Sequence, residues 1–200
     1  FKIRGAYYKI KSLTDEQKSK GVVAASAGNH SQGVAFASNI ENIPCTIVMP
    51  RTASPAKVSA TKSYGAKVVL EGSTYDESWE HAQKISSETN ATIIHAFDDS
   101  NVIAGQGVIG LEIIEELPNV DEIYVPIGGG GLVAGIITAV KEKHPHVKII
   151  GVESSAYPAM KKSLENNSLE TVGGDTTIAD GISVKTPGKL TFNIVREKID

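Results

Sequence analysis

Two clusters of residues in this chain have the types and spacing to bind anions. Gly128-Gly129-Gly130-Gly131 stands between the apolar run Glu122-Ile123-Tyr124-Val125-Pro126-Ile127 and the apolar helical pattern that begins at Leu132. Glycine loses more backbone entropy on ordering than any other residue. Four in a row therefore imply a backbone that must touch something. A strand, a glycine loop and a helix start together expose N–H groups and the positive end of a helix dipole, an anion cradle most often used for phosphate. The second cluster, Ser26-Ala27-Gly28-Asn29-His30, offers a hydroxyl, backbone N–H groups, an amide and an imidazole at another helix start. That set suits a carboxylate. Taken singly, Ser26 also reads as an ordinary N-cap and His30 as a solvated first-turn residue.

The identity of the phosphate ligand stays open on spacing alone. No G-x-x-x-x-G-K-[ST] run is present, which argues against a Walker A loop. Gly129, Gly131 and Ala134 do fit G-x-G-x-x-G/A, and Glu153 follows the next strand about twenty residues later, where a ribose-binding acid belongs. A dinucleotide and another phosphate ligand are both compatible with this region. Close packing of the helix on the sheet is a third account of the glycines. A phosphate cradle facing a carboxylate cradle points to an amino acid next to a phosphorylated cofactor.

The elements that must position these loops alternate between strand and helix. Strands are expected at 22–26, 45–49, 67–70, 92–97, 122–127 and 147–152. Helices are expected at about 32–38, from Ser54-Pro55 to Gly65, at 76–88, at 102–117 and from Leu132. This alternation predicts an α/β fold with parallel sheets flanked by helices, strand C-termini on one edge and the ligand beyond them. Residues 166–168 and 173–176 read as surface turns.

The bulk properties exclude several classes. The chain has 200 residues, 40% of them hydrophobic and 22% charged, with a net charge of −3, ordinary for a globular protein. That charge gives no case for nucleic acid or an acidic membrane as the main partner. No apolar stretch is long enough for a membrane span. The single cysteine, Cys45, excludes an internal disulfide and a cysteine-rich zinc site, and fits a cytoplasmic, reducing compartment.

Phe1-Lys2-Ile3-Arg4-Gly5-Ala6 resembles the segment that carries the Schiff-base lysine in pyridoxal-phosphate enzymes of the tryptophan synthase β family (fold type II). Ser26-Ala27-Gly28-Asn29-His30 resembles that family's asparagine loop, and Gly128 to Gly131 its phosphate loop. Phe97-Asp98-Asp99, Ile103-Ala104-Gly105-Gln106-Gly107 and Ile178-Ala179-Asp180-Gly181 are similar to sequences of the threonine dehydratase and serine racemase group. The resemblance spans nearly the whole chain.

The resemblance implies two open, mostly parallel twisted sheets with flanking helices. A small domain, 21–97, and part of a large domain, 1–20 plus 98–200, would have the cofactor cleft between them. It implies that Lys2 holds pyridoxal phosphate and takes the substrate's α-proton. Phe1 would pack near the ring, and Asn29 would hydrogen-bond the ring hydroxyl. Gly128, Gly129, Gly130, Gly131 and Leu132 would bind the phosphate, and the backbone at Gly181 would lie against the cofactor. Ser26, Asn29 and His30 would hold the substrate carboxylate. The implied activity is deamination of L-threonine, and of L-serine, to a 2-oxo acid and ammonia. A racemase, another β-eliminating or β-replacing enzyme, and a non-catalytic cofactor-binding homologue are the alternatives. Ala27 stands where serine racemases carry a second serine, and alanine cannot act as an acid or base on the opposite face; this favours elimination. Ala159 stands where the racemases carry a metal-binding carboxylate, so no metal site is expected. The partner of the ring nitrogen is expected in a segment outside these 200 residues, and a homo-oligomer, dimer or tetramer, is implied.

Overall fold

The structure, a computed structural model, describes residues 1–200. The chain divides into two compact units, Phe1–Ala96 and Phe97–Asp200.

In the first unit, helices α1 (Lys2–Lys11) and α2 (Asp15–Lys20) lead into an alternating series. It runs β1 (Val22–Ala25), α3 (Asn29–Ile40), β2 (Cys45–Met49), α4 (Pro55–Ser63), β3 (Lys67–Leu70), α5 (Tyr75–Thr89) and β4 (Thr92–Ile93). The four strands form one parallel sheet in the order β3-β2-β1-β4. β1 is buried along its whole length, as expected of a central parallel strand covered on both faces. The face bearing Val23, Ala25 and Val48 is covered by Trp79, Ala82 and Ile85 of α5. The sheet grows to one side of β1 through β2 and β3, then returns to its other side with β4. Such a reversal opens a crevice at the strand C-termini.

Local chemistry explains the helix starts. Ser54 caps α4 by accepting from Lys57 N–H, with Pro55 at the first helical position. Thr74 caps α5. Thr14 and Gln17 form a reciprocal capping box on α2, a signal in the sequence that periodicity alone passes over. The helix expected from about Gln32 begins earlier, at Asn29. The strand expected to reach Phe97 ends at Ile93. Ile94 N–H still donates to Val23 O, but beyond it the backbone leaves the ladder, and the Ala96 carbonyl receives a side chain instead.

In the second unit, α6 (Ser100–Glu116), β5 (Glu122–Pro126), α7 (Gly131–Lys141), β6 (Lys148–Val152), α8 (Ala159–Glu165) and α9 (Lys189–Lys198) follow, with a 3-10 turn at Asp180–Ile182 before α9. β5 and β6 pair in parallel with Ile123 opposite Ile149. Ile123, Val125 and Ile127 pack against Val133, Ile136 and Ile137 of α7 and Phe192 and Val195 of α9. α6 and α7 cross in backbone contact. A Cβ on Gly135 would stand 2.6 Å from Gly107 N, and one on Gly107 would stand 2.8 Å from Gly135 O. No helix is long and apolar enough to cross a membrane. The turn expected at 166–168 is present, with Asn167 at φ 51, whereas 173–176 is exposed but forms no turn.

Candidate functional site

In the first unit, Ser26, Asn29 and His30 follow β1 into the start of α3, and Lys2 lies near enough to His30 for its charge to act on the imidazole. Gly33 of α3 is what brings Lys2 there. A Cβ at Gly33 would stand 3.1 Å from Ile3 N and 3.3 Å from the Lys2 carbonyl carbon, so α1 lies directly on α3 at this point. The Lys2 side chain is partly covered as a whole, but its amine end turns inward. Nζ donates to Ala96 O at 2.5 Å and lies 5.5 Å from the centre of the half-exposed Phe1 ring. Burial lowers the amine from 10.5 to about 8, because a desolvated ammonium ion is disfavoured.

His30 is 3% exposed, and its Nε2 lies 2.9 Å from Ile94 O. A carbonyl only accepts, so Nε2 carries the proton and Nδ1 is a bare acceptor, buried without a partner. Burial first, and the charge of Lys2 second, push the imidazole down to about 3. The ring is therefore neutral and its one N–H is already used. The donor His30 offers to a carboxylate is its backbone N–H, which makes no hydrogen bond within the protein. The solvated first-turn alternative for His30 does not hold.

Ser26 is not the N-cap of α3; Gly28 occupies that position. Ser26 Oγ accepts from Gly28 N–H at 3.2 Å, which leaves its O–H free to donate. Asn29 is exposed in the first turn of α3, and neither its side chain nor its N–H is used internally. Buried Ser31 donates to Gly28 O at 2.6 Å and meets Thr61 Oγ1 at 3.3 Å, tying the loop to α4. The cluster thus presents one hydroxyl and the N–H groups of a helix start, with an unpartnered amide beside them.

In the second unit, the four glycines and Leu132 present five N–H groups, none used in a hydrogen bond within the protein. Each glycine is also demanded by packing behind the loop. Cβ atoms on Gly129 and Gly131 would collide with Phe97, one on Gly128 would crowd Ile182, and one on Gly130 would strike Met160 and Thr191. Gly130 has φ +94, a left-handed backbone that favours glycine. Close packing and anion binding are therefore two sides of one loop. Leu132 is partly buried against the core of this unit. Gly181 sits exposed in the 3-10 turn, whose next residue, Ile182, lies behind Gly128.

Glu153, the acid required for a dinucleotide, is spent elsewhere. Its two oxygens accept from Met160 N–H and Lys161 N–H at 2.8 Å, holding the start of α8, and burial raises its pKa. Ala159 is buried as the first residue of α8. The spacing alone also leaves out Asp98 and Thr191. Asp98 accepts from Lys189, Leu190 and Thr191 N–H at 3.0, 2.9 and 3.2 Å, and Thr191 donates to Gly129 O at 2.6 Å. The partners lie 91 to 93 positions away for Asp98 and 62 for Thr191 with Gly129, beyond any local pattern, although Gly188 before an apolar-periodic run could have signalled α9.

Comparison with known proteins agrees with this arrangement. The family model described as "Pyridoxal-phosphate dependent enzyme" matches residues 1–200. An L-threonine ammonia-lyase of Thermotoga maritima is 53% identical over 200 residues, covering 100% of this chain and 50% of that protein. Among solved structures, the processed form of threonine deaminase isoform 2 from Solanum lycopersicum superposes with a TM-score of 0.96 at 43% identity, over 100% of this chain and 55% of its own. Maize serine racemase also gives 0.96, at 38% identity, over 100% of this chain and 60% of its own. The chain thus spans about half the length of the curated relative it matches.

Proposed function

The chain belongs to the pyridoxal-phosphate dependent enzyme family, and we propose that the longer protein deaminates L-threonine, and L-serine as well, to a 2-oxo acid and ammonia. The observation that carries this reading is Lys2: an amine lowered to about 8 that donates to Ala96 O. The residues fit the cofactor. Its aldehyde calls for an amine that gives up its proton near neutrality, and its phosphate calls for a loop of unused N–H groups such as 128–132.

When bound, pyridoxal phosphate supplies an electron sink for the bonds of the substrate α-carbon. The rest of the work falls to this chain's residues. Gly128, Gly129, Gly130, Gly131 and Leu132 hold the phosphate by backbone N–H. Asn29 would offer its side-chain amide to the ring hydroxyl, Phe1 would pack near the ring, and the backbone at Gly181 would lie against the cofactor. The Ser26 hydroxyl and the N–H groups of Asn29 and His30 hold the substrate carboxylate. Lys2, as a neutral amine, would take the α-proton, and the β-hydroxyl would leave as water on gaining a proton.

Identity of 53% to a threonine ammonia-lyase supports elimination, and so does Ala27, which has no group to exchange a proton on the opposite face. The likeness to maize serine racemase favours racemisation as the second reading. The division into a small domain, 21–97, and a larger one, 1–20 plus 98–200, is part of the proposal, as is a dimeric or tetrameric homo-oligomer, both on the family resemblance; a cytoplasmic location is proposed on the single cysteine. The test is 2-oxobutanoate formation from L-threonine by the full-length protein, set against D-serine formation from L-serine. Lys2→Ala is expected to lower turnover by about a thousandfold. Threonine turnover unaffected by Lys2→Ala, or D-serine as the dominant product, would overturn the reading.

A further inference from the structure

Four adjacent glycines form the most flexible stretch a backbone can have, and ordering them on a ligand carries a large entropic cost. Something must hold this loop in shape beforehand if it is to bind phosphate tightly. One side chain hydrogen-bonds to it from behind. Thr191, fully buried in the first turn of α9, donates its hydroxyl to Gly129 O at 2.6 Å, with Gly188 O as a second acceptor at 3.1 Å. Gly188 N–H reaches the same Gly129 O at 3.1 Å. The Gly129 carbonyl is thus fixed on the α9 side. A trans peptide is planar, with its C=O and the following N–H pointing in opposite directions. Fixing the carbonyl toward α9 turns the Gly130 N–H away from α9, to the face where the loop's unused donors are.

Thr191 is itself held. The Asp98 carboxylate accepts from the N–H groups of Lys189, Leu190 and Thr191, closing the start of α9 around it. Thr191 also meets the spot where a Cβ on Gly130 would stand, at 2.8 Å for Oγ1. Met160 Cε lies equally close, so the left-handed turn at Gly130 has no room to relax on that side. The same device recurs in the first unit, where Ser31 donates to Gly28 O at 2.6 Å and turns the following N–H, that of Asn29, away.

We propose that Thr191, held by Asp98, is a positioning residue for phosphate recognition, fixing the Gly129–Gly130 peptide so that the Gly130 N–H faces the anion. This rests on the reading of 128–132 as the phosphate loop. The proposal concerns the phosphate alone, so it separates pyridoxal phosphate from pyridoxal, which lacks the phosphate.

The experiment titrates the cofactor-free full-length protein with each compound, as wild type, Thr191→Val and Thr191→Ser. Valine keeps the shape and removes the hydroxyl; serine keeps the hydroxyl. Losing one of the two donors to Gly129 O, with Gly188 N–H left as the other, corresponds to about 3- to 10-fold weaker binding of pyridoxal phosphate. Pyridoxal binding is expected to change less than about twofold and serine to restore most of the loss. The ratio of the two affinities does not depend on how much protein is folded. A wild type that prefers pyridoxal phosphate, with a valine variant that keeps the whole preference, overturns the role of Thr191 alone. Equal losses for both compounds, or a serine variant as weak as valine, also overturn it. A wild type that binds the two compounds equally overturns the phosphate reading of the loop, and the role of Thr191 with it.

Discussion

Replacing Lys2 by methionine removes a charge that the fold holds at a cost. The amine is lowered from 10.5 to about 8 by desolvation. Below pH 8 it is protonated both in the folded and in the unfolded chain, and the folded state carries the desolvation penalty. Between pH 8 and 10.5 the folded state has released the proton while the unfolded chain keeps it, so stability rises with pH; above that range the penalty is gone. The gap corresponds to about 3 kcal/mol, at about 1.4 kcal/mol for each pH unit. Methionine has a similar length and no charge, but it abandons the bond to Ala96 O, a loss of about 1 kcal/mol. The variant is therefore expected to be more stable than wild type by about 2 kcal/mol at pH 7 and less stable by about 1 kcal/mol near pH 10.5. Urea unfolding of the cofactor-free full-length protein across this range reads the difference. Trace acylation of Lys2 in the wild type gives the midpoint directly, and at pH 7 the neutral amine should be about 300-fold more abundant than in an ordinary lysine. A difference between the two proteins that is flat from pH 7 to 10.5, or a labelling midpoint near 10.5, refutes the account of a desolvated amine.

Two further perturbations test the surroundings of Lys2. Gly33→Val places bulk where even a Cβ stands 3.1 Å from the backbone of α1; it is expected to cost about 1–3 kcal/mol and to slow cofactor capture by Lys2, measured by stopped-flow absorbance. His30→Phe leaves Ile94 O without its donor, at about 1–3 kcal/mol in chemical denaturation. The acid limb of the pH–rate profile should keep its position in the variant, because His30, held down near 3, does not titrate in the working range.

The alternation of strands and helices was legible because each interior strand is an unbroken apolar run and each following helix has a proline, serine, threonine or glycine at its boundary. β4 was overread because Ile94, His95 and Ala96 continue the apolar pattern while the backbone has already left the ladder. α1 was not legible: Lys2 to Lys11 has no capping side chain at its start, and its place is set by Gly33 on another helix. Capping signals exist for α2 in Thr14 and Gln17, but a single helical turn and a half of polar residues carries no periodicity to attach them to.

The binding residues divide along the same line. Those that expose backbone donors, Gly128 to Gly131, are visible because four adjacent glycines between a strand and a helix stand out in the sequence. Those that aim the donors are ordinary residues, and their roles exist only in three dimensions. Ser31 and Thr191 look like any hydroxyl in a first helical turn until their acceptors, Gly28 O and Gly129 O, are seen to be glycine carbonyls. The dinucleotide spacing of Gly129, Gly131 and Ala134 shows the same limit from the other side. A strand, a glycine loop and a helix start generate that spacing whenever a helix must pack closely after a strand. What separates the ligands is where the following acid goes. Glu153 turns both oxygens to the start of α8, and with them the ribose-binding role that the spacing suggested is taken away.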